Sequence, residues 1–300
     1  MNSKAQSLKD FLGRAGRVAL VEVAATKGST PREAGAFMLV SASAIFGTIG
    51  GGQLEYMAID KARQMLGGRA ASRSATREAR IEVDEVCATL DVPLGPEIGQ
   101  CCGGRVEVRI RPVDAALEQG LIAKAESEEA HLPHVYVFGG GHVGQALAAS
   151  LALLPVHAVV VETRADALEG MPETVETRLT PMPEAVVREA PAGSAFAVLT
   201  HDHALDFLIV AEALKRDDTA YVGMIGSKTK KATFRHWFLK SYEGSEAEFH
   251  RLVSPIGGNA VKDKRPPVIA ALAAAEIMTA LVSHAVQASA STAPEKVMAR

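Results

Sequence analysis

Val135-Tyr136-Val137-Phe138-Gly139-Gly140-Gly141-His142-Val143-Gly144 decides how this chain is read. A short apolar run with the pattern of a buried strand leads into a run of glycines, and Val143 to Leu154 then carries a helical pattern. The glycines fit G-x-G-x-x-G where that spacing has physical meaning, between a strand and a helix. There the backbone can approach a phosphate closely, and the helix N-terminus favours its negative charge. Ala158 to Val161 is the next expected strand, and Glu162 closes it, where a ribose-binding acid is expected.

The same grammar continues downstream. Ala195 to Leu199 and Ala220 to Ile225 are expected strands, and Leu205 to Lys215 and Lys228 to Leu239 are expected helices. Strands alternating with helices at this spacing predict a parallel sheet with helices on both faces, a Rossmann-like domain over residues 134–290. Its candidate ligand residues are Gly139, Gly141, His142, Gly144 and Glu162 at the first two strand ends. His142 is expected to cap the helix and face the crevice, or to be a hydrogen-bonded structural histidine. Two later strand ends carry polar clusters: Thr200-His201-Asp202-His203, with Asp206 shortly after, and Gly226-Ser227-Lys228. Imidazoles and carboxylates there orient a ligand or bind a metal. Ser227 and Lys228 offer a hydroxyl and a charge for an anion, or simply start a solvated helix. Carboxyl ends of parallel strands line the crevice, so the three clusters are expected to converge.

The N-terminal part reads differently. Val18 to Val23, Ala36 to Val40 and Ala44 to Ile49 are short apolar runs punctuated by glycine and Ser-Thr-Pro clusters. Gly50-Gly51-Gly52 opens a helical pattern, and Val106, Val108 and Ile110 alternate with charged residues as in a half-buried strand. Together they predict an α/β protein: a smaller strand-rich α+β domain over residues 1–112, a polar linker over 113–133 with some helix, then the Rossmann-like domain.

Bulk properties exclude several classes. A formal net charge of −3, from 32 basic and 35 acidic residues, gives no footprint for general nucleic-acid binding. The start of the chain lacks the apolar core of a signal peptide. Pro267 to Val282 is expected to pack on a sheet, being too short and too weakly apolar to span a bilayer. Three cysteines cannot build a disulfide framework, which points to a reducing, cytoplasmic setting.

Two of those cysteines are adjacent, in Gly99-Gln100-Cys101-Cys102-Gly103-Gly104. A bridge between neighbours strains both the peptide and the disulfide, so a structural staple is a poor reading. Flanking glycines would leave the sulfurs reachable, and reachable thiolates bind soft metals, attack sulfur or carry it as persulfide. The plainer reading is a pair of small apolar residues in a core.

At this point the chain resembles the XdhC/CoxI family of xanthine dehydrogenase accessory proteins. The resemblance rests on Gly28-Ser29-Thr30-Pro31-Arg32-Glu33, on Gly47-Thr48-Ile49-Gly50-Gly51-Gly52-Gln53-Leu54-Glu55, and on the Cys101-Cys102 loop. Further along it rests on Gly139 to Gly144, Thr200 to Asp206, Ile225 to Lys228, and Pro255-Ile256-Gly257. Departures are Glu162 where aspartate is expected, Gly140 where alanine is usual, and a loose match over residues 258–263. The resemblance implies a cytosolic chaperone rather than a turnover enzyme. It would bind molybdenum cofactor, support exchange of an oxo for a sulfido ligand, and deliver the product to apo xanthine dehydrogenase, with sulfur from a cysteine desulfurase. It also implies cofactor contacts at Arg32, Gln53, Glu55, Cys101, Cys102 and Arg105, with Cys101 and Cys102 as metal or sulfur ligands. Arg105 would favour their thiolate forms if it points inward. No nucleic acid or membrane partner is expected, and a homodimer is expected on the general frequency of twofold assemblies.

Two other functions fit parts of the chain. The glycine fingerprint and Glu162 suit an NAD-dependent oxidoreductase, an acid at that position disfavouring a 2′-phosphate. The adjacent cysteines alone would suit a redox sensor.

Overall fold

The computed structural model describes residues 3–67, 80–83, 87–95 and 103–291, and the chain divides into two compact units, Ser3–Glu129 and Ala130 onward. The first unit is built on a six-stranded antiparallel sheet of order β3-β2-β1-β6-β5-β4. Its centre is β1 (Val18–Lys27), between β2 (Phe37–Ser41) and β6 (Arg105–Pro112). In β1, Ala19, Val21 and Val23 face α2 (Gly52–Leu66), while Val18 and Leu20 face α1 (Lys4–Ala15) and α3 (Ala115–Ala130). With both faces covered, the strand reads as a continuous apolar run rather than an alternation. The edges are β3 (Ile45–Gly47) on one side and β4 (Arg80–Val83), through β5 (Ala88–Pro93), on the other.

The segment expected as a linker is largely α3. Its Leu121 and Ala125 are buried against Leu8 and Leu12 of α1 and Leu39 of β2. Only those few positions face inward, which is why the stretch reads as polar. Exposed pairs Lys4–Glu128 (3.0 Å) and Lys9–Glu126 (2.7 Å) join α1 to α3 but add little energy in water. The division between the units falls at residues 129–130, so this stretch packs with the first unit.

The second unit has a six-stranded parallel sheet, β12-β11-β10-β7-β8-β9. In chain order these are β7 (His134–Phe138), β8 (His157–Glu162), β9 (Glu176–Leu179), β10 (Ala195–Val198), β11 (Tyr221–Met224) and β12 (Leu252–Val253). Taking β7 as the first strand gives the order 3-2-1-4-5-6, the doubly wound Rossmann arrangement, with its switch point between β7 and β10. Val135, Val137, Ala158, Val160, Ala195 and Ala197 face α4 (His142–Leu151) and α9 (Pro266–Ser291). Tyr136, Phe138, Phe196, Val198, Val222 and Met224 face the other layer, α5 (Pro183–Glu189), α6 (His203–Lys215), α7 (Lys228–Ser241) and α8 (Glu246–His250). Helices on both faces bury every central strand, so each of these reads as an unbroken apolar run.

The last helix is longer than its apolar core suggested. By length and composition Pro266–Ala288 could cross a membrane, contrary to the sequence expectation. Ala270, Ala273, Ala274, Ile277 and Leu281 pack into the sheet core, and Glu276 accepts hydrogen bonds from the Tyr221 hydroxyl (3.0 Å) and the Gly257 N–H (2.7 Å). The Pro255-Ile256-Gly257 turn is thus tied to α9, with a Cβ at Gly257 falling 2.9 Å from Leu272 Cβ.

Candidate functional site

The glycine loop lies flush on its neighbours. Gly139 has φ +115°, and a Cβ there would stand 2.5 Å from the Leu199 carbonyl oxygen. At Gly144 an added Cβ would fall 1.9 Å from the Gly139 oxygen, so the first turn of α4 packs directly on the loop that precedes it. Gly140 is pressed against Ala167 of a short 3-10 turn, Asp166–Leu168. Gly141 differs: space around its Cβ position is open, and as N-cap of α4 it supplies no side-chain acceptor to the helix amides. Open space before amides with no side-chain cap is what a phosphate needs. The N-cap is therefore Gly141, not His142, which is the first helical residue and exposed.

Glu162 is 4% exposed, and its carboxylate is occupied by the protein itself. One oxygen accepts the Gly140 N–H (2.9 Å) and Arg164 Nη2 (3.3 Å). The other accepts the Thr163 N–H (2.7 Å), the Thr163 hydroxyl (3.1 Å) and the Arg164 N–H (3.2 Å). Burial pushes its pKa up, but the hydrogen bonds from Gly140, Arg164 and Thr163 outweigh burial and hold it down at about 2. Here the acid clasps the glycine loop, tying the end of β8 to the loop after β7.

The loops after β10 and β11 are organised by caps. Asp202 is the N-cap of α6 and accepts the Ala204 N–H (2.8 Å), while Thr200 and Asp202 close a tight turn through the Thr200 hydroxyl. Ser227 caps α7, accepting the Lys230 N–H at 3.2 Å, so the helix-start reading holds for it. His201, His203 and Lys228 are exposed at this end of the sheet. Among the described residues, no group of three or more His, Cys, Asp or Glu side chains is placed to hold a metal. Sequence reasoning missed Lys230, and missed what Asp206 does: Asp206 is buried and forms a salt bridge with Lys230, whose side chain is largely covered. The signal was available. Asp206 lies on the apolar stripe of Ile209, Val210 and Ala213, and an acid on a buried stripe needs a partner.

In the first unit three motifs meet at one end of the sheet. A register shift between Val23 and Ala25 turns the end of β1, which then runs into the Gly28–Glu33 loop. Gly104, on the return arm of the Cys101-Cys102 loop, lies so close that a Cβ would stand 2.1 Å from the Ser29 oxygen. On the other side, a Cβ at Gly50 would fall 2.7 Å from Pro31 Cγ. Gly50, Gly51 and Gly52 all have positive φ, and this turn is held by Glu55. One Glu55 oxygen accepts from the Thr48 hydroxyl (2.5 Å), the Ile49 N–H (3.1 Å) and the Gly51 N–H (3.0 Å).

Around this cluster Arg32 and Gln53 are exposed. Arg105 forms a two-point pair with Asp91 (2.6 and 2.7 Å), so its charge is directed at β5. Cys101 and Cys102, with Gly99 and Gln100, lie outside the described residues. Glu55, Glu162, Asp202 and Ser227 thus spend their polar atoms on shaping loops, whereas Arg32, Gln53, His142, His201, His203 and Lys228 face solvent.

Residues 12–76 match the family described as XdhC and CoxI, and residues 135–277 match the XdhC Rossmann domain. A curated relative, uncharacterized protein YqeB of Escherichia coli (strain K12), is 28% identical over 270 residues. That alignment takes in 87% of this chain but only 43% of the relative, so the chain spans less than half the relative's length. A crystal structure from Bacillus halodurans, described as a xanthine dehydrogenase (BH1974), has the same fold. Its TM-score is 0.74 at 16% identity, covering 99% of this chain and 98% of that one. Both halves of the sequence, in order and on the two units where the motif loops assemble, match the same family: the chain is a member of the XdhC family.

Proposed function

We propose that this protein acts in the maturation of xanthine dehydrogenase by binding molybdenum cofactor, supporting exchange of an oxo for a sulfido ligand, and delivering the product to the apo enzyme. The observation that carries the reading is the gathering, in a chain of this family, of the Gly28–Glu33, Gly47–Glu55 and Gly103–Arg105 segments at one sheet end. The cofactor is cargo with a phosphate, a pterin with many hydrogen-bonding edges, and a soft metal. Taken by itself, the Gly139–Gly144 loop of the second unit suits a phosphate group, since the Cβ position of Gly141 is open and α4 has no side-chain cap. In the first unit, taken by itself, the exposed Arg32 and Gln53 would meet pterin edges or charge. Cys101 and Cys102 supply the soft ligands, and sulfur comes from a cysteine desulfurase. In this reading the protein is a cytoplasmic homodimer and turns over no substrate of its own.

The NAD-dependent alternative is served less well. The residue that would receive ribose hydroxyls, Glu162, is buried and already accepts from Gly140, Thr163 and Arg164. The deciding experiment incubates the purified protein with molybdenum cofactor, passes it through gel filtration, and measures retained molybdenum and pterin. Wild type is expected to retain both in stoichiometric amount, and Cys101→Ala or Cys102→Ala to lose molybdenum. Retention by neither wild type nor variants would overturn the reading. Equal retention by wild type, both single variants and the double variant would remove the cysteines from it.

A further inference from the structure

The loops that follow β10 and β11 are joined by a charge pair beneath the two caps. Asp206 of α6 is fully buried, Lys230 of α7 has a side chain only 8% exposed, and the two form a salt bridge. The other Asp206 oxygen accepts the Thr200 N–H at 2.9 Å, which fixes the loop after β10. Lys230 is held just as closely on its own side. Gly226 has φ +156°, and a Cβ there would stand 2.6 Å from Lys230 Cδ and 3.2 Å from Lys230 Cβ. The loop after β11 therefore rests on the lysine stem, and the stem is anchored by the carboxylate that holds the other loop.

A buried ion pair is a poor source of stability, because desolvating both charges consumes most of their attraction. Apolar residues of similar volume commonly serve as well. What the pair adds is a fixed relation between two loops that, among the described residues, share no backbone hydrogen bond beyond Ile225 N–H to the Val198 oxygen at the strand ends. Resting on the reading of this crevice as a ligand site, we propose that Asp206 and Lys230 are its positioning residues. They hold His201 and His203 on one loop, and Ser227 and Lys228 on the other, as a single wall without touching the ligand themselves.

The test reads each loop's response to a change on the opposite side. Amide hydrogen exchange is followed in the full chain for wild type, Asp206→Asn, Lys230→Met and the double variant. Asp206→Asn keeps an acceptor for the Thr200 N–H, yet exchange over residues 225–230 should rise at least about tenfold. Lys230→Met leaves Asp206 in place, yet exchange at Thr200 should rise by a similar factor. Strand amides of β7 and β10 should keep their wild-type rates. Should either single variant fail to fold with one buried charge unpaired, the uncharged double variant decides, with both loops accelerated and both strands unchanged. Wild-type rates in both loops, acceleration confined to the mutated side, or equal acceleration everywhere would overturn the proposal.

A second arm measures molybdenum cofactor retained by wild type and the double variant, where a fall of at least about tenfold is expected. Equal retention despite loosened loops would remove the positioning role. Failure of wild type to retain cofactor would instead count against the proposed function, leaving the exchange result to decide whether the pair couples the loops.

Discussion

Replacing Glu162 by Gln tests the account of the glycine loop most directly. The carboxylate accepts from Gly140, Arg164 and Thr163, so both of its oxygens face donors. An amide of the same shape must place an NH2 against one of those sets, leaving donors unpaired in a buried site. The magnitude follows from proton linkage. A carboxyl held at about 2 rather than the ordinary 4.5 contributes about 3 kcal/mol at neutral pH. The sign is fixed by the direction: the unfolded chain takes up the proton first as pH falls, so this contribution is full above 4.5 and is lost on the way down to 2. At pH 3.5 the same arithmetic leaves about 2 kcal/mol.

Trp237, the single tryptophan, packs against the core of this unit, so its fluorescence during urea denaturation reports the relevant transition. Wild type should exceed Glu162→Gln by about 3 kcal/mol at pH 7, with the gap narrowing to about 2 at pH 3.5. A gap below about 1 kcal/mol at pH 7, or one constant over that range, would refute the clasp.

Other expectations follow from the same contacts. Gly104→Ala places a Cβ 2.1 Å from the Ser29 oxygen, so it should destabilise the first unit by about 1–3 kcal/mol in urea denaturation; a neutral result would separate the Gly28–Glu33 loop from the Cys101-Cys102 arm. Glu55→Gln should loosen the Gly50–Gly52 turn, read as faster amide exchange at Ile49 and Gly51, while exchange in β1 is unchanged. His134 is held below its usual pKa of 6.5 by burial and by the neighbouring His157, whose ring centre is 4.7 Å away. The unfolded chain therefore binds that proton first, and stability of the second unit should fall as pH drops through 6.5. His134→Phe should flatten that slope, and an unchanged slope would assign it to other groups.

Much of the second unit was legible in the sequence because its information is local. A buried strand, three glycines and a helix need no distant residue to be recognised, and β8, β10, β11, α6 and α7 repeat the same grammar. The elements missed, β9, α5, α8 and β12, are short or at the sheet edges, where half-exposed residues such as those of Glu176–Leu179 leave no apolar run. The polar reading of the stretch expected as a linker has a related cause. α3 buries Leu121 and Ala125 while its remaining charges face water, so its contribution to the core is invisible until α1 and β2 are in place.

Residue types and their order by themselves determined the doubly wound domain, the family, and which loops carry the motifs. The domain follows from glycine spacing and apolar periodicity, and the family from the resemblance of several motifs in order, all properties of contiguous chain. Only the tertiary structure decided what the polar atoms of those loops do. Glu162 closes on Gly140 because β8 lies beside β7, and Glu55 closes on its own glycine turn because α2 starts there with positive φ at Gly50 to Gly52. Asp206 finds Lys230 because parallel crossovers bring α6 and α7 to the same face. Hydrogen bonds and ion pairs act over about 3 Å, and such distances between residues far apart in sequence exist only once the sheet has formed.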